Sequence, residues 1–177
     1  MEYILALPIL MSFLATLFLM PFWIRKAKII GLVWDDMNKA AKEKVAGSGG
    51  VMVILGFIIG VLIYAAYVVF FLKDYNSRLV EILALLNVII ILSFLGFVDD
   101  LLGWQKGGLR RRHRILLVGI AAIPLMAINA GRSLVSIPFI GVVDMGILYP
   151  LLMIPIGVIG ATKNFNFLAG FNGLESG

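Results

Sequence analysis

The chain has 177 residues, 62% of them hydrophobic and only 14% charged, with a formal net charge of +5 and no cysteine. Soluble domains are roughly 45–50% apolar and about 25% charged, so this is the composition of an integral membrane protein. Disulfides and thiolate metal sites are excluded, and the single histidine, His113, argues against a multi-histidine zinc centre. Most of the positive charge lies between apolar runs, where it reports membrane topology and gives no reason to invoke a nucleic-acid partner.

In chain order, five apolar runs reach or approach the ~20 helical residues that a hydrocarbon core requires. The first, Tyr3–Ile24, lacks the basic start and small-residue cleavage site of a signal peptide, so it reads as a transmembrane helix. Gly50–Leu72 and Leu79–Val98 follow, then the shorter runs Ile115–Ala130 and Ile147–Ala161. Pro124, Pro150 and Pro155 fall in the last two and are expected to kink them. Extending the fifth run through Phe165–Leu168 restores its length. Between these two, Gly131–Gly146 combines Gly/Pro punctuation with short β-branched runs, which predicts a small hairpin or a re-entrant piece. The predicted fold is all-α: a polytopic transmembrane helical bundle forming one membrane domain over 1–177.

The loops set the orientation. Segment 25–49 holds Arg25, Lys26, Lys28, Lys39, Lys42 and Lys44, and segment 99–114 holds Lys106, Arg110, Arg111, Arg112 and Arg114. The alternate connections hold only Lys73 and Arg78, then Arg132. The positive-inside rule therefore places 25–49, 99–114 and the tail 162–177 on the cytoplasmic face, with the N-terminus outside. Three polar segments are thereby gathered on one side.

The chemistry-bearing residues lie in those segments. Asp99 and Asp100 stand side by side at the end of an apolar run, where an ionised carboxylate costs much less than the several kcal/mol it costs at the bilayer centre. On a helix they point about 100° apart, so they cannot share one atom but can divide two tasks. A carboxylate pair followed by the basic run LRRRHR (109–114) suits phosphate handling, with Mg²⁺ on hard oxygens and arginines on phosphoryl oxygens. The same residues also fit a solvated stop signal and a headgroup anchor. The tail ATKNFNFLAGFNGLESG (161–177) offers Asn166 and Asn172 among glycines, which serves either a ligand-reading turn or a plain helix end. Segment 31–50 reads on its own as a charged amphipathic connector.

Taken together, DDMNK (35–39), Gly49-Gly50, GFVDDLLG (96–103), LRRRHR (109–114) and NFLAGFNGLESG (166–177) resemble the polyprenyl-phosphate N-acetylhexosamine-1-phosphate transferase family. The closing LAGFNGLESG resembles its eukaryotic and archaeal branch. The bacterial branch usually carries aspartates where this chain has Ala169 and Asn172. Members carry about twice as many transmembrane helices, so the resemblance implies an N-terminal portion, inactive by itself. It implies transfer of GlcNAc-1-phosphate from UDP-GlcNAc to a polyprenyl (dolichyl) phosphate at the bilayer surface, releasing UMP, as the first step of lipid-linked oligosaccharide synthesis. Mg²⁺ is the implied cofactor, with Mn²⁺ as a substitute, and a homodimer is compatible with it.

By position, the resemblance makes Asp99 and Asp100 the catalytic pair and Asn166 a metal ligand. Asp35, Asp36 and Met37 would lie by the nucleotide, Asn172 and Gly170 would contact its uridine end, and Arg114 would meet the lipid phosphate. Lys163 counts with the substrate-binding residues, where an asparagine is often found. Arg114 replaces a lysine of eukaryotic members, and Gly47 stands where many carry a glutamate near the sugar nucleotide. The absence of long soluble loops fits an archaeal cell membrane better than the endoplasmic reticulum. The competing reading is a transporter or channel subunit with an acidic cytoplasmic gate. It would place ionisable groups near the midplane, whereas here they lie at the edge.

Overall fold

The computed structural model describes residues 3–35, 44–73, 77–106, 109–139 and 141–168. Helix α1, Tyr3–Ile30, runs past the predicted end at Ile24 and takes in Arg25, Lys26 and Lys28. Cations at a helix C-terminus are favoured by the macrodipole, so the basic residues extend the helix instead of ending it. What ends it is Gly31, at φ +78°. The Gly31 N–H donates to the Lys28 carbonyl and the Leu32 N–H to the Ala27 carbonyl (3.3 and 2.9 Å), the paired bonds of a Schellman cap. Ala27 and Leu32, the apolar partners of that cap, are both fully buried.

The chain then forms β1, Val33–Asp35, which pairs antiparallel with β2, Lys44–Ala46, so the predicted charged connector is a strand pair. Helix α2, Gly50–Phe70, contains no charged residue. It buries Met52, Gly56, Gly60, Ala65 and Val68. A Cβ at Gly56 would lie 2.0 Å from Thr16 Oγ1, and one at Gly60 would lie 2.9 Å from the Pro8 carbonyl oxygen and from Ser12 Cβ. The two glycines, four residues apart, thus let α1 and α2 approach backbone to backbone, the small-residue packing that replaces hydrophobic drive inside lipid. Thr16 donates its hydroxyl to the Ser12 carbonyl (2.9 Å), so no polar group is stranded at the contact.

Helix α3, Ser77–Lys106, continues well beyond the predicted boundary at Val98. The acidic pair is therefore helical and lies about 33 Å along the axis from Ser77, near the far edge of a ~30 Å hydrocarbon core. After it come α4, Arg111–Ala121, and α5, Ile123–Ile128, broken next to Pro124. Strands β3, Leu134–Ile137, and β4, Gly141–Asp144, form the hairpin expected there as one of two alternatives. A π-helical turn, Tyr149–Met153, leads into α6, Ile154–Leu168. Pro155 has no N–H to donate, which is where such widened turns arise. The helical interruptions thus fall at Pro124, Pro150 and Pro155, the residues expected to disturb these segments, and α6 reaches Leu168.

Helices Leu5–Ile30, Gly50–Phe70 and Arg78–Gly103 are each long and apolar enough to cross a membrane, with mean hydropathies of 2.1, 2.7 and 2.5. The fourth and fifth predicted spans are interrupted, and their pieces are individually shorter. Phe18, Phe70, Phe71 and Phe94 are largely exposed, which makes sense against lipid tails and not against water. The chain is an all-α, polytopic integral membrane protein carrying two short hairpins. It forms two compact units: Met1–Val80 with Gly96–Gly108, and Glu81–Leu95 with Leu109–Gly177.

Candidate functional site

In the first unit the site grows from the end of β2. Gly47 follows it, and its N–H donates to the Leu32 carbonyl (3.0 Å), continuing the hairpin by one bond. The Trp23 indole, on α1, donates to the Gly47 carbonyl (2.9 Å) and meets Phe97 of α3 edge-on, with ring centroids 6.3 Å apart. Ser48 comes next, at φ +54°. Left-handed backbone costs a non-glycine residue on the order of 1–3 kcal/mol unless the surroundings hold it. Its carbonyl accepts from the Val51 N–H (3.2 Å) at the start of α2. Its hydroxyl donates to Asp100 Oδ2 (3.0 Å).

Asp100 is exposed and Asp99 half-buried, so the neighbours occupy different surroundings, as the helical angle between them requires. Each carboxylate offers hard oxygens, and Asp100 keeps Oδ1 beside the oxygen that accepts from Ser48. That donor set suits Mg²⁺, which takes one or two carboxylates and completes its shell with water and substrate phosphate. Among the described residues no three acidic or histidine side chains cluster, so the protein forms no closed metal cage there. Asp35 ends β1 opposite Lys44 in the ladder, an exposed cross-strand charge pair. Asp36 and Met37 lie outside the described residues.

Gly47 explains one departure from the family pattern. A Cβ there would lie 2.6 Å from Trp34 Nε1 and 2.7 Å from Cδ1, so the Trp34 indole occupies the space a longer side chain would need. The sequence carried no sign of this contact. Ser48 and Trp23 were also missed, although a serine between Gly47 and Gly49 in AGSGG is a usable signal.

The second unit holds the basic part. Arg110 precedes α4 without a side-chain cap, and Arg112, His113 and Arg114 fill its first turns. Cations at a helix N-terminus oppose the macrodipole, so this run is not there to stabilise the helix, whereas an anion would be welcome. Helix α4 packs on α6, and α5 packs on the π-helical turn and α6, so the two stretches run antiparallel. A Cβ at Gly119 would stand 3.7 Å from Ile159 Cδ1. Counting outward from that contact at 1.5 Å per residue, Arg114 and Lys163 come at the same end, about 6–8 Å beyond it. Lys163 and Asn166 lie three residues apart along α6. Both are helical, as the extension of the fifth run through Phe165–Leu168 expects, although they also open the segment read as a tail. Gly170 and Asn172 lie outside the described residues.

Residues 82–177 match the family described as Glycosyl transferase family 4. A Saccharolobus solfataricus protein, provisionally named UDP-N-acetylglucosamine–dolichyl-phosphate N-acetylglucosaminephosphotransferase, is 34% identical over 97% of this chain and 49% of its own length. A Dictyostelium discoideum protein of that name is 31% identical over 80% of this chain and 37% of its own. A Prochlorococcus marinus phospho-N-acetylmuramoyl-pentapeptide-transferase is 28% identical over 87% and 41%. The chain thus spans half or less of the length of these relatives.

Proposed function

Because the chain belongs to glycosyl transferase family 4, we propose that the protein containing it transfers GlcNAc-1-phosphate from UDP-GlcNAc to a polyprenyl phosphate of the dolichyl type, releasing UMP. The observation that carries this is the extent of the family match. It encloses Asp99, Asp100, Arg114, Lys163, Asn166, Gly170 and Asn172 in one stretch.

In the reaction an oxygen of the lipid phosphate attacks the β-phosphorus of the sugar nucleotide. A new P–O bond forms, the bridging P–O bond breaks, and UMP leaves with the bridging oxygen. The lipid phosphate is already largely ionised near pH 7, so the attack needs positioning more than a strong base. Arg114, at the uncapped start of α4, meets the lipid phosphate, and Lys163 at the same end adds a second cation. Asp100 at the edge of the apolar span meets the nucleotide side while the lipid tail stays in the bilayer. By the family resemblance Asn166 would be a Mg²⁺ ligand and Asp99 and Asp100 would position metal and phosphate; Mg²⁺, when bound, would stabilise charge developing on the pyrophosphate. Asp35, Asp36, Met37, Gly170 and Asn172 would contact the nucleotide. The active face is cytoplasmic, in an archaeal cell membrane.

The test is release of UMP from UDP-GlcNAc by the full-length protein in detergent with a polyprenyl phosphate, with and without Mg²⁺. The release is expected to need both the lipid and the metal. Asp100→Asn is expected to lower kcat more than about 100-fold. Wild-type rates in that variant would remove Asp100 from the mechanism.

A further inference from the structure

Three non-glycine residues among those described have left-handed φ: Lys73 at +50°, Phe139 at +70° and Ser48 at +54°. Lys73 and Phe139 are exposed beside turns, where strain has room to relax, while Ser48 is half-buried. Glycine would adopt the Ser48 conformation without strain, and glycines already flank it on both sides. The serine side chain must therefore supply something glycine cannot. What it supplies is the hydroxyl hydrogen bond to Asp100 Oδ2, 3.0 Å long and joining residues 52 apart in sequence.

We infer that Ser48 is a positioning residue for Asp100: its hydroxyl fixes the rotation of the carboxylate and leaves Oδ1 for substrate phosphate or its counter-ion. The backbone around Ser48 is held from three elements, so the hydroxyl is a fixed point. Trp23 of α1 donates to the Gly47 carbonyl (2.9 Å), the Gly47 N–H donates to Leu32 at the start of the hairpin (3.0 Å), and Val51 of α2 donates to the Ser48 carbonyl (3.2 Å). The Trp23–Phe97 edge contact brings α3 to the same place from its apolar side. A charge-assisted hydrogen bond from a fixed donor restricts the acid more than a bond from a mobile loop would. Ser48 touches neither substrate nor metal in this account and acts only through Asp100.

The inference rests on the reading that Asp100 belongs to the active site of a phosphotransferase. Ser48→Gly and Ser48→Asn in the full-length protein test it, with kcat, KM and melting temperature measured for each. Glycine removes the donor and relieves the backbone. The expected result is a roughly 10- to 100-fold fall in kcat, with KM for UDP-GlcNAc near wild type and an unchanged or raised melting temperature. Asparagine tolerates left-handed φ and carries an N–H donor, so Ser48→Asn should recover part of kcat. Wild-type kcat in Ser48→Gly, or losses in both variants that merely follow lowered melting temperatures, would overturn the inference alone. A wild-type protein that releases no UMP would overturn the underlying reading and this inference with it.

Discussion

The hairpin Val33–Ala46 and the hairpin Leu134–Asp144 each join two apolar helical segments through antiparallel strands of three or four residues. An isolated two-stranded hairpin is marginal in water, so what surrounds each one decides what it can do. The first leaves the Schellman cap of α1, is bonded by Trp23, and delivers Ser48 to an acid on α3. The second is held by bonds close in sequence: Met145 N–H to the Ser133 carbonyl (2.9 Å) and Gly146 N–H to Asp144 Oδ1 (3.0 Å). Its described link to another helix is an exposed ion pair between Arg132 and Glu81. Equal secondary structure therefore supports unequal roles. Side chains from neighbouring helices turn the first hairpin into a scaffold, whereas among the described residues the second is tied to another helix by an exposed ion pair.

That contrast breaks first at Gly47. Gly47→Val puts a branched side chain where the Trp34 indole lies 2.6 Å from the Cβ position. Overpacking of this kind costs about 1–3 kcal/mol, and the variant should lose both melting temperature and UMP release. Adding Trp34→Ala should restore most of the stability. No recovery in the double variant would mean that the space is not what fixes glycine there.

The second hairpin should respond to acid, and only locally. The Gly146 N–H, and then the Ser133 hydroxyl, hold the Asp144 carboxyl below its ordinary value of 3.8. A lowered folded-state pKa contributes stability above the unfolded value, lost as pH falls through the folded one. Wild type and Asp144→Asn should therefore differ slightly in melting temperature at pH 6 and converge as the pH falls through the folded-state pKa of Asp144. A carboxyl titration centred above 3.8 would contradict the assignment.

The smallest effect belongs to Glu81→Gln. Its pair with Arg132 is solvent-exposed, with side chains 38% and 61% accessible, and such pairs are worth roughly 0–1 kcal/mol. Melting temperature and UMP release should stay within error of wild type. A large loss would show that this hairpin is anchored as firmly as the first.

Periodicity and composition by themselves determined the membrane class, the three long spans, the prolines that interrupt the last two segments, and the acidic pair Asp99-Asp100. Long apolar runs and missing N–H groups act locally, so they are readable without knowing what they touch. The hairpin Val33–Ala46 was not readable. VWD and KVA are too short for a strand pattern to outweigh the charges around them, and only pairing makes them strands. The Gly56/Gly60 approach to Pro8, Ser12 and Thr16, the Trp34 indole over Gly47 and the Ser48–Asp100 bond were equally hidden. Each depends on a partner 13 or more residues away in the chain. Sequence placed two carboxylates at the edge of the membrane, and only the packing of α1, the hairpin and α2 around Ser48 distinguished Asp100 from Asp99.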